Sequence, residues 1–300
     1  MRIFLTGATG FIGRRLIPDL LAAGHQVLGL TRSEAGAKTL AEAGVEPYRG
    51  TLEDPDGLRA GAAGADAVIH TAFDHDFSRF VDNCQKDQRV IRALGEALAG
   101  SDRPLVITSG TGMGALRPGQ LATEDVAAFD NPNPRVASEI AGAELSAAGV
   151  KVVVVRLPQV HDTHKQGLIS PLIEVARQKG VSAYVGDGAA RWPAAHVLDV
   201  ARLYRLAVEQ GQAGERFHAV GEEGISARDI AATLGKGLGL PVVSLPAEQA
   251  AEHFGWLGMF ANYDMPASSA WTRERLGWST SGPGLLVDLE KMDYAAAGSA

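Results

Sequence analysis

Short apolar runs, separated by glycine-rich or polar turns and by stretches of helical spacing, repeat through the first half of the chain. The runs are Ile3 to Leu5, Val27 to Leu30, Ala67 to Ile69, Leu105 to Ile107 and Val152 to Val155, rich in Val, Ile and Leu as strands buried on both faces require. Val45 to Arg49 is a weaker sixth candidate. Between the first two runs, Phe11, Ile12, Leu16, Ile17, Leu20 and Leu21 recur at helical spacing. Gly24 supplies the stop of that helix, and Pro18 is expected to kink or loosen it. The pattern predicts parallel strands joined by crossover helices, an α/β fold with a Rossmann-type doubly wound parallel sheet.

After Arg156 the texture changes. Pro158, Pro171 and Pro193 punctuate short segments, glycines cluster at Gly186 and Gly188, and Trp192, Trp256, Trp271 and Trp278 all fall there. We expect a dinucleotide-binding domain over residues 1–156 and a smaller substrate-binding lobe over 157–300. A segment near 196–220 should return to the sheet, with Arg216 to Val220 as a last strand.

Composition narrows the function classes. With 300 residues, 46% hydrophobic and 21% charged, the chain can bury a core without staples and matches neither a disordered nor a membrane class. A net charge of -7 without a Lys/Arg block argues against a nucleic-acid surface. Cys84 is the only cysteine, which rules out an intrachain disulfide and points to a reducing compartment. Residues Met1 to Thr6 reach Gly7 too soon for a signal-peptide core, and no run approaches the ~20 apolar residues of a membrane span. A cytoplasmic location is therefore expected. The tail, Ala295 to Ala300, is small and uncharged, is expected to fray and receives no function.

Chemistry concentrates in Thr6-Gly7-Ala8-Thr9-Gly10-Phe11-Ile12-Gly13, which follows the first strand and opens the first helix. In that context glycines mark a dinucleotide loop: Gly7 permits the tight turn, Gly10 lets backbone N–H groups approach a pyrophosphate, and Gly13 allows close helix packing. An acidic residue at the end of the second strand would hold the ribose 2′-hydroxyl of NAD. Leu30-Thr31-Arg32-Ser33 instead offers a guanidinium suited to a 2′-phosphate, with a hydroxyl beside it, so NADP (NADPH) is favoured and NAD stays possible.

The glycine pattern, Val68-Ile69-His70-Thr71-Ala72, Thr108-Ser109, Arg156-Leu157-Pro158 and His196-Val197-Leu198-Asp199-Val200-Ala201 together resemble the extended short-chain dehydrogenase/reductase family and its NAD-dependent epimerase/dehydratase group. The resemblance implies cofactor contacts from Gly7, Thr9, Gly10, Phe11, Ile12, Gly13, Arg32, Ser33, Leu52, Thr71, Ala72, Thr108 and Pro158. Thr51 stands where the family commonly has an aspartate, and adenine contact by the backbone near Leu52 is implied. A homodimer is expected from the resemblance and from Val90, Ile91, Leu94 and Leu98 on one helical face, a stripe that equally suits packing on the sheet.

One family feature is missing. Carbonyl-reducing members usually carry a tyrosine and, four residues later, a lysine; in the matching stretch Arg135 and Glu139 stand there. Arginine keeps its proton at working pH, and glutamate reverses the charge that would lower a tyrosine pKa. Catalytic candidates are therefore sought beyond the strand ends: Ser109 and Thr111 after the fifth strand, His75 (in Asp74-His75-Asp76) after the fourth, and His161 after the sixth. His161 and His164 form the only close histidine pair, so no metal site is expected. Arg191 resembles the arginine that holds a diphosphate in nucleotide-sugar members, while Phe254, Trp256, Met259, Phe260 and Tyr263 suit core or the wall of an apolar pocket. The leading expectation is an NADPH-dependent oxidoreductase acting on a small carbonyl or hydroxyl substrate. A non-catalytic NADP-binding regulator and an epimerase or dehydratase that retains NAD are the alternatives.

Overall fold

A computed structural model of the chain describes residues 1–295; the tail to which no function was given lies, from residue 296 on, outside the described residues. Strand and helix alternate from the start: β1 (Arg2–Thr6), α1 (Gly13–Ala22), β2 (Gln26–Thr31), α2 (Glu34–Glu42), β3 (Glu46–Arg49), α3 (Pro55–Ala63), β4 (Ala67–His70), α4 (Phe80–Glu96), β5 (Leu105–Gly110), α5 (Val136–Ala147) and β6 (Val152–Leu157). Shorter elements follow: β7 (Gln159–His161), α6 (Ile169–Lys179), β8 (Ser182–Val185), β9 (Arg191–His196), α7 (Val197–Gln210), β10 (Arg216–His218), β11 (Glu222–Ser226), α8 (Ala227–Leu238) and β12 (Val242–Leu245). The chain ends with α9 (Ala250–Phe254), α10 (Gly258–Ala261), α11 (Ala270–Leu276) and α12 (Leu285–Lys291).

Seven parallel strands form the central sheet in the order β10-β6-β5-β4-β1-β2-β3. The chain winds outward from β1 to β3, then crosses to β4 and winds the other way, so the switch point lies between β1 and β4. In such sheets the ligand crevice opens at the carboxyl ends of the strands beside that switch.

Alternate residues of each central strand enter different cores. Ile3, Leu5, Val106, Val153 and Val155 pack under α1 and α7 with Leu16, Leu20, Leu203 and Tyr204. Phe4, Leu105, Ile107, Val152 and Val154 pack on the other face with Leu58, Ile91, Leu94 and Leu145 from α3, α4 and α5. Double burial accounts for the continuous apolar runs, each such side chain contributing roughly 1.5–3 kcal/mol. β3 was the weak signal because it is the edge strand, largely exposed and carrying Pro47.

The helix α1 continues through Pro18, and of the two readings of the stripe in α4 the structure shows packing on the sheet. Val90, Ile91, Leu94 and Leu98 are all buried in the core beneath the sheet, so the stripe is occupied within the subunit and gives no ground for a homodimer.

The second lobe joins β11-β9-β7, the parallel pair β8 and β12, and α6, α8 and α12 around Ile169, Ile173, Trp192, Ile225, Ile230, Leu234, Leu285 and Leu289. Its sequence is interleaved with the first more deeply than expected. Besides α7 and β10, residues 270–278 come back to the sheet: Leu276 and Trp278 join its core, Trp271 stacks on Phe217 at 5.3 Å, and the Trp278 indole donates to the Asp199 carbonyl at 2.9 Å. No helix of the described residues is long and apolar enough to cross a membrane.

Candidate active site

At the switch point the backbone does the work. Gly7 has φ +71°, the left-handed region, and a Cβ there would lie 2.7–2.8 Å from Thr71 Oγ1 and the Ala72 nitrogen. A Cβ on Gly13 would stand 2.2 Å from the Gly7 carbonyl oxygen, so the helix could not come this close to the loop. The Gly10 N–H closes the turn on that carbonyl at 2.8 Å. The first turn of α1 has no side-chain cap and no acidic residue; the Arg14 and Arg15 N–H groups turn back on the Gly10 and Ile12 carbonyls, and the positive dipole end of the helix faces the loop. A dinucleotide pyrophosphate fits this cradle.

Strand geometry brings the other expected cofactor residues to the same edge. Thr71 and Ala72 follow β4 against the loop, with Thr71 Oγ1 donating to the Thr6 carbonyl at 2.8 Å. Thr108 lies within β5, donates to the His70 carbonyl at 2.7 Å and meets Tyr204 Oη at 2.6 Å. Pro158 follows β6, and Leu52 lies in the turn after β3. Arg32 is exposed beyond β2, and the Ser33 hydroxyl caps α2 by accepting from the Gly36 N–H at 3.0 Å. Thr9, Phe11 and Ile12 complete the loop, where the Lys165 ammonium from the second lobe lies 5.9 Å from the Phe11 ring centre.

The other end of the crevice is made of buried ions. Thr6 Oγ1 meets His70 Nδ1 at 2.6 Å, His70 Nε2 meets Asp87 at 2.9 Å, and the second Asp87 oxygen accepts from Arg135 and Ser138, both at 2.6 Å. Arg135 also donates to the Thr108 carbonyl at 2.9 Å and lies 4.2 Å over the Phe73 ring. Burial alone would raise the Asp87 carboxyl, but the Arg135 charge and the His70 bond outweigh it and hold it well below the ordinary range. One turn along α5, Glu139 binds Arg156 at 2.8 and 3.1 Å and Arg216 at 3.2 Å. There too burial opposes ionisation, and the Arg156 bond and charge, with Ser109 and Arg216, keep the carboxylate ionised.

The four catalytic candidates separate. Ser109 is buried beside Glu139, Thr111 is buried in the turn after β5, and His161 is fully buried with Nδ1 on Asp288 at 2.7 Å. Burial lowers the pKa of His161 against the pull of Asp288. None of the three presents itself at the crevice mouth. His75 does: its ring keeps solvent contact between Phe73 at 5.3 Å and Phe77 at 6.2 Å. Partial desolvation there, with the charges of Lys165 and Arg135, lowers its pKa. Arg191 is taken by Asp264, at 2.8 and 3.0 Å. Cys84 is a packed thiol whose pKa burial pushes up to about 11. Among the described residues no group of three or more His, Cys, Asp or Glu is placed to hold a metal.

Sequence reasoning missed His70, Asp87 and the anchoring of Arg135. A signal existed for Asp87, a carboxylate on the same helical stripe as Cys84, Val90, Ile91 and Leu94.

Comparison with known proteins agrees with this geometry. The signature of the NAD dependent epimerase/dehydratase family matches residues 3–220. A Schizosaccharomyces pombe protein of uncharacterized function is 47% identical over 98% of this chain and 100% of its own. A Stigmatella aurantiaca 4-hydroxy-2-methyl-3-oxo-4-farnesyl-3,4-dihydroquinoline-1-oxide ketoreductase is 28% identical over 89% of this chain and 84% of its own. The crystal structure of Thermus thermophilus UDP-glucose 4-epimerase in complex with NAD superposes with a TM-score of 0.75 at 21% identity, covering 100% of both chains.

Proposed function

We propose that this protein is an NADPH-dependent reductase of small carbonyl compounds, and the premise is plain: the chain belongs to the NAD dependent epimerase/dehydratase family. That membership makes it an enzyme of nicotinamide type. The step to reduction is carried by one observation, the anchored Arg135. Three of its five N–H groups are committed to Asp87, Ser138 and the Thr108 carbonyl, and the side chain keeps 13% of its surface exposed. The remaining donors can hold a carbonyl oxygen. As that oxygen gains charge, a fixed cation stabilises it without reorganising, a role distinct from the proton donation arginine cannot perform.

Bound NADPH supplies the hydride. Its pyrophosphate belongs on the Gly7–Gly13 loop, and Arg32 with Ser33 would take the 2′-phosphate. His75 is the proton donor in this reading. Because its pKa is lowered, the imidazolium it must donate from is scarce at neutral pH, so transfer should accelerate on mild acidification. The ketoreductase named among the relatives supports a carbonyl substrate.

The test is NADPH oxidation across a panel of aldehydes and ketones in wild type and His75→Gln. Turnover that rises as pH falls from neutral, with that limb lost in His75→Gln, is expected. NADPH binding without oxidation of any member would favour a cofactor-dependent regulator instead.

A further inference from the structure

Five large apolar side chains that the fold leaves between 38% and 66% exposed, Leu116, Leu121, Trp256, Met259 and Tyr263, lie on segments that meet beside this crevice. Ring contacts and backbone hydrogen bonds tie those segments together. Phe77, in the segment after β4, stacks on Trp256 of the second lobe with ring centres 4.2 Å apart and planes 11° from parallel. Trp256 meets Phe260 edge-on at 6.4 Å, and the Phe260 carbonyl accepts from the Tyr263 N–H at 2.9 Å. The next residue, Asp264, accepts from the Gly119 N–H at 2.7 Å, which seats the loop holding Leu116 and Leu121 against the second lobe. The rim thus runs from the loop after β4, across the second lobe, to the loop after β5. Those strand ends flank Arg135 and His75, and exposed apolar side chains gathered beside a crevice mark a ligand or partner site.

We propose that the molecule reduced in the crevice is a carbonyl compound with an elongated apolar body, and that the body lies along this rim. The inference rests on the reductase reading for its chemistry and on the rim for its substrate class. Carbonyl carbon and oxygen reach Arg135 and His75; methylenes beyond them cover Trp256, Met259 and Leu116.

Linear primary alcohols of increasing length, titrated onto the protein with and without NADPH, test the rim without turnover, since alcohol and NADPH are both reduced. Affinity should strengthen about two- to fourfold per added methylene. Met259→Ser and Leu116→Ser, at exposed positions that tolerate substitution, should flatten that slope and leave the shortest alcohol unchanged. Length-independent affinity, or an unchanged slope in both variants, overturns the proposal. So does a solution mass that halves in the variants while the slope persists, which would make the rim a contact between two copies. The matching aldehydes separate the two readings. Reduction of short aldehydes with no length effect overturns the rim and keeps the reductase; rim-dependent binding with no aldehyde reduced keeps the rim and overturns the reductase.

Discussion

The two ends of one crevice are built from different materials. At the phosphate end nothing but backbone and empty space is needed: Gly7 and Gly13 give room, and the uncapped first turn of α1 gives polarity. At the reacting end the architecture is ionic, with Asp87 and Arg135 joined through His70 to Thr6, and Glu139 held by Arg156 and Arg216. A backbone cradle is indifferent to pH and costs no charge burial. A buried ionic network fixes a cation in position, but it makes the fold depend on every member staying paired, because an orphaned interior charge is far more costly than a lost hydrogen bond.

Breaking the ionic end should therefore have the largest effect on stability. Glu139→Gln leaves Arg156, fully buried, without its counter-charge, and we expect a loss of about 3–5 kcal/mol in denaturant unfolding. A loss below about 1 kcal/mol would mean that the network is not the stabilising feature described. Acid should reach the same region next. The buried His218 beside Arg156 has its pKa lowered from 6.5 to about 3, chiefly by burial and then by Arg156. The unfolded chain takes up that proton near 6.5 and the folded chain does not, so stability present above 6.5 is lost as pH falls toward 3. Between pH ~7 and ~5 this amounts to about 2 kcal/mol, and the depressed Asp87 and Glu139 extend the loss at lower pH. Thermal melts across this range check it; a flat profile, or one unchanged in His218→Gln, would contradict it. The smallest effect belongs to the phosphate end. Arg32→Ala should weaken NADPH by about ten- to hundredfold, leave NADH within about twofold and leave the melt unchanged. Equal weakening of both cofactors would remove Arg32 from the 2′-phosphate.

The same contrast decides what could be read from the sequence. Each requirement of the phosphate end lies within one short segment, strand then glycines then helix, so Thr6 to Gly13 announced it, and the doubly buried runs announced the sheet. The ionic end joins Thr6 to His70, Asp87 to Arg135 and Glu139 to Arg216, residues 64, 48 and 77 positions apart, and no local pattern encodes such pairs. Arg135 and Glu139 therefore read as a missing proton relay, whereas the fold uses both as anchored ions. For the same reason Ser109 and His161, polar residues expected at strand ends, looked available although both are buried in the interior, His161 with its Nδ1 on Asp288. The return of Trp278 to the first core was also illegible, since a tryptophan beyond α11 suits either lobe.

Single-turnover hydride transfer in Arg135→Lys, with NADPH affinity measured on the same samples, bears most directly on the proposal that an anchored guanidinium holds the substrate carbonyl. Lysine keeps a cation beside Asp87 but cannot hold Asp87, Ser138 and the Thr108 carbonyl at once while facing the crevice. The account predicts transfer slowed by about 10²–10³-fold with NADPH bound as tightly as in wild type. Transfer at the wild-type rate in the NADPH-loaded variant would contradict it.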